Sequence, residues 1–195
     1  MSFNIVIQAG GQSQRMGQNK ALMPFLGQPL IERVVQRVKS AAAELILITN
    51  QPEQFAYLGL PLVADLIPGK GPLGGLFTSL TVASFPVVAV IACDMPFVNA
   101  ALLETQRDLL AGGDWDVVIP HSEEGLEPLH ALYSAACRET FENAIRQGER
   151  KILDVIGRLN VRQVSSEELR RVGVKESSFV NVNTPEEYGE LRTVR

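Results

Sequence analysis

Histidine and cysteine are almost missing from this chain, with two of each in 195 residues: His121, His130, Cys93 and Cys137. That scarcity excludes a good deal of chemistry. The two cysteines stand far apart and form no metal-spaced cluster, which suits free thiols in a reducing compartment, and no Ser-His-Asp or Cys-His set can be assembled. Long apolar runs are also missing; none approaches the roughly 20 residues needed to span a bilayer. The N-terminus lacks a basic stretch followed by an apolar one, so the sequence reads as soluble and cytoplasmic, without a membrane partner. Nor is there an excess of cations. A formal charge of −4 and a pI near 5.3 exclude a broad nucleic-acid face, although one local basic pocket is still allowed. Internal repeats, low-complexity tracts and linkers are absent too, and 46% hydrophobic content suits a single domain spanning residues 1–195.

What is present is concentrated near the start. The apolar run Phe3-Asn4-Ile5-Val6-Ile7 reads as a buried strand, and Gln8-Ala9-Gly10-Gly11-Gln12-Ser13-Gln14-Arg15-Met16-Gly17-Gln18-Asn19-Lys20 follows it. Glycines let a backbone turn tightly with its N–H groups toward an anion, and Arg15 and Lys20 add full charges on either side of Gly17. This is a cradle for phosphate, but neither a Walker A loop nor G-x-G-x-x-G. A plain strand-to-helix turn with exposed cations is the competing account; the cations bracketing the glycines after the first strand favour the cradle.

Further along, strands and helices alternate. Ala21 to Gly27 is a short apolar stretch closed by glycine, and Pro29 is placed to open a helix whose apolar face is Leu30, Ile31, Val34, Val35 and Val38. Leu45-Ile46-Leu47-Ile48 reads as the second strand, ending near Asn50, with Pro52 opening a short helix. At a strand's carboxyl end Asn50 is either a donor to base or ribose, or a turn former. Leu62-Val63-Ala64-Asp65 reads as a third strand, and a glycine-rich loop then enters a helix reaching about Ala83. Gly74 and Gly75 inside that helix each weaken it by roughly 1 kcal/mol relative to Ala, so something must pack closely there: the nucleotide or the first strand. The most apolar strand, Pro86 to Ala92, delivers Asp94 to the crevice edge, where a carboxylate can hold Mg²⁺ together with substrate phosphates. Helix capping is the other use of such an Asp, but Asn99 already fills it before Ala100 to Leu110.

Asp116 to Pro120 and Leu129 to Tyr133 read as two more strands with a polar loop between them, and a helix follows from Ser134 to about Arg146. His121 is expected in a surface turn and His130 as a satisfied interior imidazole. Residues 138–171 carry a local excess of cations, mostly solvated helix charges, of which Arg150 and Lys151 are placed to meet an anionic second substrate. Thr184, Pro185 and Glu187 form a capping box for a final helix. Just before it, Asn181 and Asn183 share one face of an extended segment, suited to a polar ligand, with local turn bonding as the alternative.

The pattern Ala9-Gly10-Gly11-x-Ser13-x-Arg15-Met16-Gly17-x-x-Lys20 resembles the signature of nucleotidyltransferases that join a nucleoside monophosphate to a phosphorylated small molecule. With Gly71-Pro72-Leu73-x-Gly75, Cys93-Asp94-Met95-Pro96, Glu127-Pro128-Leu129-x-Ala131-Leu132-Tyr133 and Phe179-Val180-Asn181-Val182-Asn183-Thr184-Pro185-Glu186-Glu187, the chain resembles the molybdenum cofactor guanylyltransferases over its full length. The resemblance implies a three-layer α/β Rossmann-like fold with a mostly parallel sheet, a nucleotide part at about 1–120 and an acceptor part at about 121–195. It implies GTP and molybdopterin as substrates, Mg²⁺ on Asp94, and transient contact with proteins that insert molybdenum or mature molybdoenzymes. Nucleotide contacts are carried over to Gln8, Ala9, Gly10, Gly11, Lys20, Asn50, Asp65, Gly75 and Asp94, acceptor contacts to Asn181 and Asn183, and catalysis to Arg15, Lys20 and Asp94. Asp65 or main-chain carbonyls are the candidate readers of guanine's N–H groups. Rival readings are a cytidylyl- or sugar-phosphate nucleotidyltransferase with the same cradle, and a non-catalytic nucleotide-binding partner.

Overall fold

The computed structural model describes residues 2–10 and 19–182. Strand β1 (Asn4–Gln8) is buried along its length, with the apolar Ile5-Val6-Ile7 between two buried amides. After a 3-10 turn at Lys20–Leu22 comes a feature the sequence did not announce: a hairpin of β2 (Pro24–Phe25) and β3 (Gln28–Pro29). Leu26 (φ 50°) and Gly27 (φ 89°) both take left-handed backbone there, the geometry of a two-residue hairpin turn. Because Pro29 ends β3, it is the extended N-cap of helix α1 (Leu30–Val38) and not its first helical residue. The expected face of α1 is buried through Leu30, Ile31, Val34 and Val38.

Strand β4 (Glu44–Ile48) leads to 3-10 turns at Pro52–Gln54 and Ala56–Leu58. Strand β5 (Leu62–Val63) is two residues long, shorter than expected, because the chain leaves the ladder when Asp65 N–H turns to Asn50 Oδ1 at 3.0 Å. Helix α2 (Gly71–Val82) has Pro in its first turn and glycines at its start, as read from the sequence. It is followed by β6 (Val87–Ala92) and by α3 (Ala100–Ala111), capped by Asn99 Oδ1 on Leu102 N–H at 3.1 Å. Strand β7 (Val117–Ser122) turns into β8 (Gly125–Leu126), and β9 (His130–Ser134) returns beside it. Next come α4 (Arg138–Arg146), α5 (Ile152–Ile156), β10 (Val161–Val164), α6 (Ser166–Arg171) and a 3-10 turn at Glu176–Phe179. A capping box absent from the sequence reading opens α6: Ser165 Oγ accepts from Glu168 N–H, and Glu168 Oε2 accepts from Ser165 N–H at 2.9 Å. The capping box read at Thr184 lies outside the described residues.

Apart from the β2–β3 hairpin, the described strands form one mostly parallel sheet in the order β10-β7-β9-β6-β1-β4-β5, with β8 paired to β7. Strand β1 is parallel to both β4 and β6, whereas β9 is antiparallel to its neighbours β6 and β7. Two apolar layers cover it. Val34 and Val38 of α1, Leu102, Leu103 and Leu110 of α3 and Leu169 of α6 pack on one face. Leu73, Leu76 and Leu80 of α2, Phe141 of α4 and Val155 of α5 pack on the other, giving the three-layer α/β Rossmann-like architecture. The amino edge is tied by buried Asn4, whose Nδ2 donates to Glu44 Oε2 at 2.7 Å and whose Oδ1 accepts from Phe85 N–H at 2.8 Å. In open α/β sheets the ligand crevice lies at the opposite, carboxyl edge.

Candidate functional site

Three parallel strand ends meet at that edge. The ladder sets Gln8 level with Ile48 on one side and Ala92 on the other. Beyond it, Ala9 N–H donates to Ile48 O at 2.9 Å and Cys93 N–H donates to Gln8 O at 3.1 Å. The residues leaving β1, β4 and β6 thus start from one line: Ala9 and Gly10, Asn50, and Asp94. Gly10 is exposed and faces open space where a side chain would project.

Lys20, at the start of its 3-10 turn, reaches Asp94 across 74 positions of sequence, with Nζ 2.7 Å from Oδ2. The two side chains are only 13% and 21% exposed, so water screens the pair weakly. Asp94 Oδ1 is buried and, among the described residues, has no hydrogen-bond partner. A buried anionic oxygen without a donor is costly, and occupancy by a cation or by a ligand's donor group would satisfy it. This donor set fits Mg²⁺ of the kind held by one carboxylate, substrate phosphates and water; among the described residues no group of three or more acidic, histidine or cysteine ligands could hold a metal alone. Asn19, which the sequence reading passed over, fixes Lys20's position. Its Oδ1 accepts from Ala21 N–H at 3.2 Å, and its Nδ2 donates to Gln51 Oε1 and Gln54 Oε1, both at 3.0 Å, joining this turn to the exit of β4. An Asn directly before a short helical turn is the signal that was available.

On the β4–β5 side, Asn50 and Asp65 act on each other. Asn50 Oδ1 is engaged by Asp65 N–H, so the turn-forming role is real. Asp65 Oδ1 accepts from Thr78 Oγ1 at 2.8 Å and Ile67 N–H at 3.1 Å, tying the loop to α2. The two helix glycines are explained by packing against protein. A methyl group on Gly74 would lie 2.8 Å from Ile67 O, and one on Gly75 would lie 2.5 Å from Gln8 Oε1. Of the two partners the sequence allowed for Gly75, the first strand is the one in contact, through the buried Gln8 side chain. Gln8 Nε2 donates to Ser79 Oγ at 3.4 Å, so this amide is turned into the β1–α2 seam.

On the β6–β9 side, the antiparallel course of β9 brings its amino end, with Leu129, Pro128 and Glu127, to the same carboxyl edge; Ala92 N–H donates to Leu129 O at 3.0 Å. A cleft of about 280 Å³ opens there, lined by Asp94, Met95, Glu127, Leu129 and Asn181 among others. Asn181 is held in place by the bond from its neighbour Val182 N–H to Asp94 O at 3.0 Å. Glu127 was not singled out as a site residue in the sequence, although it heads a motif that was; only the antiparallel pairing of β9, which no local pattern reveals, moves it into the cleft. Burial, reinforced by Asp94, pushes the Cys93 thiol up to about 12, with Lys20 offsetting part of it, so Cys93 is no nucleophile at neutral pH. His121 is exposed, as read. His130 departs from its reading: it is fully buried, yet among the described residues neither ring nitrogen has a partner. Its surroundings are apolar, with the Phe179 ring edge-on at 5.2 Å, and desolvation lowers its pKa to about 4. Arg150 and Lys151 are exposed before α5, and Gly11, Arg15 and Asn183 lie outside the described residues.

The family model for the MobA-like NTP transferase domain matches residues 5–164. A curated protein of Pelotomaculum thermopropionicum, "Probable molybdenum cofactor guanylyltransferase", is 39% identical over 189 residues, covering 97% of this chain and 91% of its own. "Molybdenum cofactor guanylyltransferase" of Desulfosudis oleivorans is 37% identical over 186 residues, covering 93% and 90%. The crystal structure of molybdopterin-guanine dinucleotide biosynthesis protein A from Archaeoglobus fulgidus superposes with a TM-score of 0.83 at 30% identity, over 98% of this chain and 97% of that one.

Proposed function

This chain belongs to the MobA-like NTP transferase family, and from that premise we propose that it transfers GMP from GTP to the terminal phosphate of molybdopterin, releasing pyrophosphate. The observation that carries the reading is the Lys20–Asp94 pair at 2.7 Å at the carboxyl edge of the sheet, with one Asp94 oxygen buried and, among the described residues, unpaired beside a cleft. The resulting division of labour follows the sheet order. Residues to about 120, on the β1–β4–β5 side, hold the nucleotide; residues from about 121, together with the β6 exit, receive the acceptor.

In this reaction an oxygen of the acceptor's phosphate forms a bond to the α-phosphorus of GTP, and the bond from that phosphorus to the β-phosphate bridging oxygen breaks, leaving its electron pair on pyrophosphate. A phosphate monoester loses its second proton near pH 6, so the nucleophile is already anionic and no general base is required. That agrees with a site whose one thiol is held protonated. The protein's work is alignment and charge neutralisation. Lys20 and the amide of Gly10 meet the phosphates, and the roles read for Arg15 and Gly11, outside the described residues, are the same. Gln8 and Gly75 form its floor. Asn50 donates to the sugar or base, and Asp65 Oδ2 accepts from guanine's N–H groups. Asp94 would hold Mg²⁺, which when bound supplies further positive charge to the triphosphate. Asn181 and Asn183 present amides to the acceptor. The same proposal places the reaction in the cytoplasm, in transient contact with proteins that insert molybdenum or mature molybdoenzymes; no helix among the described residues is long and apolar enough to cross a membrane.

Pyrophosphate release tests it. With molybdopterin as acceptor, release is expected with GTP and at least about tenfold slower with CTP or UTP, the discrimination a few hydrogen bonds provide. A preference for CTP would support the cytidylyl reading, and tight GTP binding without any release would support a non-catalytic one.

A further inference from the structure

Glu127 has no part in the reaction as described above, yet its position is strongly determined. Its N–H donates to Pro120 O and its carbonyl accepts from His130 N–H, both at 3.0 Å, so the backbone cannot swing. Ser122 Oγ donates to Oε1 at 2.6 Å and turns the carboxyl group. The group is half-buried, lines the cleft with Asp94 and Asn181, and among the described residues no Lys, Arg or His pairs with it. Burial pushes its pKa up; the Ser122 bond opposes this, and Glu124 and Glu176 add to it.

A carboxylate is an acceptor only, so an oriented, partly desolvated one without a cation calls for hydrogen-bond donors on whatever fills the cleft. A metal ion is the weaker candidate occupant, because no third ligand joins Asp94 and Glu127 among the described residues. The position in the sheet decides which substrate is meant. Glu127 precedes β9, four strand spacings from β5 and Asp65 in the order β9-β6-β1-β4-β5, or roughly 19 Å at about 4.8 Å each. A guanine seated at Asn50 and Asp65 does not reach it.

We propose that Glu127 is a specificity-determining residue of the acceptor pocket, accepting hydrogen bonds from the 2-amino and ring N–H groups on the 2-amino-4-oxo edge of the acceptor's pterin. The proposal rests on the acceptor assignment made above. Guanine carries the same edge, so the two substrates share the chemistry and differ in where they sit. Ser122 acts through Glu127 as a positioning residue.

The test is Glu127→Gln in the full chain, which preserves size and leaves an oxygen to accept from Ser122 while removing the anionic acceptor. Metal-free molybdopterin is titrated calorimetrically without GTP under anaerobic conditions, and KM is measured for each substrate. Molybdopterin affinity is expected to fall about tenfold or more, with KM for GTP within about twofold of the parent. Ser122→Ala, which keeps the carboxylate but frees its orientation, is expected to lose a smaller factor. Unchanged molybdopterin binding by folded Glu127→Gln, in a protein whose parent transfers GMP, overturns this inference and leaves the function standing. A rise confined to KM for GTP assigns Glu127 to guanine and also overturns it. A parent protein that does not bind molybdopterin removes the proposed function and this inference together.

Discussion

The two oxygens of Asp94 are in different situations: Oδ2 meets Lys20, and Oδ1 is buried with nothing among the described residues to accept from. A side chain serving only the fold would be expected to satisfy both, so Asp94→Asn is expected to lower guanylyl transfer about 100-fold or more while the far-UV spectrum stays unchanged. Steady-state turnover of the folded variant checks it. At Gly75 the demand is steric. Gly75→Ala gains roughly 1 kcal/mol of helix propensity but drives a methyl group into the buried Gln8 side chain, for a net loss of about 1–2 kcal/mol in urea unfolding. Much of that loss should disappear in a Gln8→Ala background, where a double-mutant cycle reads the coupling directly. His130 is neutral in the fold, with its pKa lowered from 6.5 to about 4 by burial. The unfolded chain therefore binds more protons between those values, so the histidine's effect is absent above pH 6.5 and stability is lost as pH falls from 6.5 toward 4. His130→Leu, which removes two unpaired buried nitrogens, is expected to be at least as stable at pH 7 and to have a flatter stability profile through that window.

Individual elements differ in how openly the sequence declares them. The strands β1, β4 and β6, the helix start at Asn99 and the buried stripe of α1 were readable because each depends on local period and cap chemistry. The β2–β3 hairpin was not, since two-residue strands leave no period to read, and Leu26 at φ 50° is no turn signal. Helix α6 shows the same limit. Ser165 and Glu168 do form a capping box, but six residues are too few to reveal an amphipathic pattern. Its chemistry is still testable. Bonds from Arg162 first, then from Ser165, hold the Glu168 carboxyl at about 2, below its ordinary 4.5. A depressed carboxyl contributes stability that is present above about pH 4.5 and lost as pH falls toward 2. Glu168→Gln should therefore be less stable than the parent at pH 6, with the gap closing in urea titrations repeated down to pH 2.5. Ser165→Ala is expected to cost about 1 kcal/mol at neutral pH and to leave turnover unchanged, because α6 packs on β7 away from Lys20 and Asp94.

At the scale of the whole molecule, the sheet turns scattered residues into a site. Asn50, Asp65 and Asp94 were recognisable in sequence as polar groups at strand exits and Lys20 as a cation of the glycine-rich loop, and parallel pairing of β1 with β4 and β6, and of β4 with β5, places those exits on one edge. Glu127 and the unpaired state of His130 were not recognisable, because both depend on β9 running antiparallel between β6 and β7, a choice no window of sequence encodes. The central claim is that this edge holds a single triphosphate between Lys20 and Asp94. A crystal structure of the chain with GTP and Mg²⁺ tests it most directly. The account predicts metal density on Asp94, phosphates against Lys20 and the guanine toward Asn50 and Asp65. A triphosphate bound elsewhere, with the Lys20–Asp94 pair intact and neither residue touching ligand or metal, would contradict it.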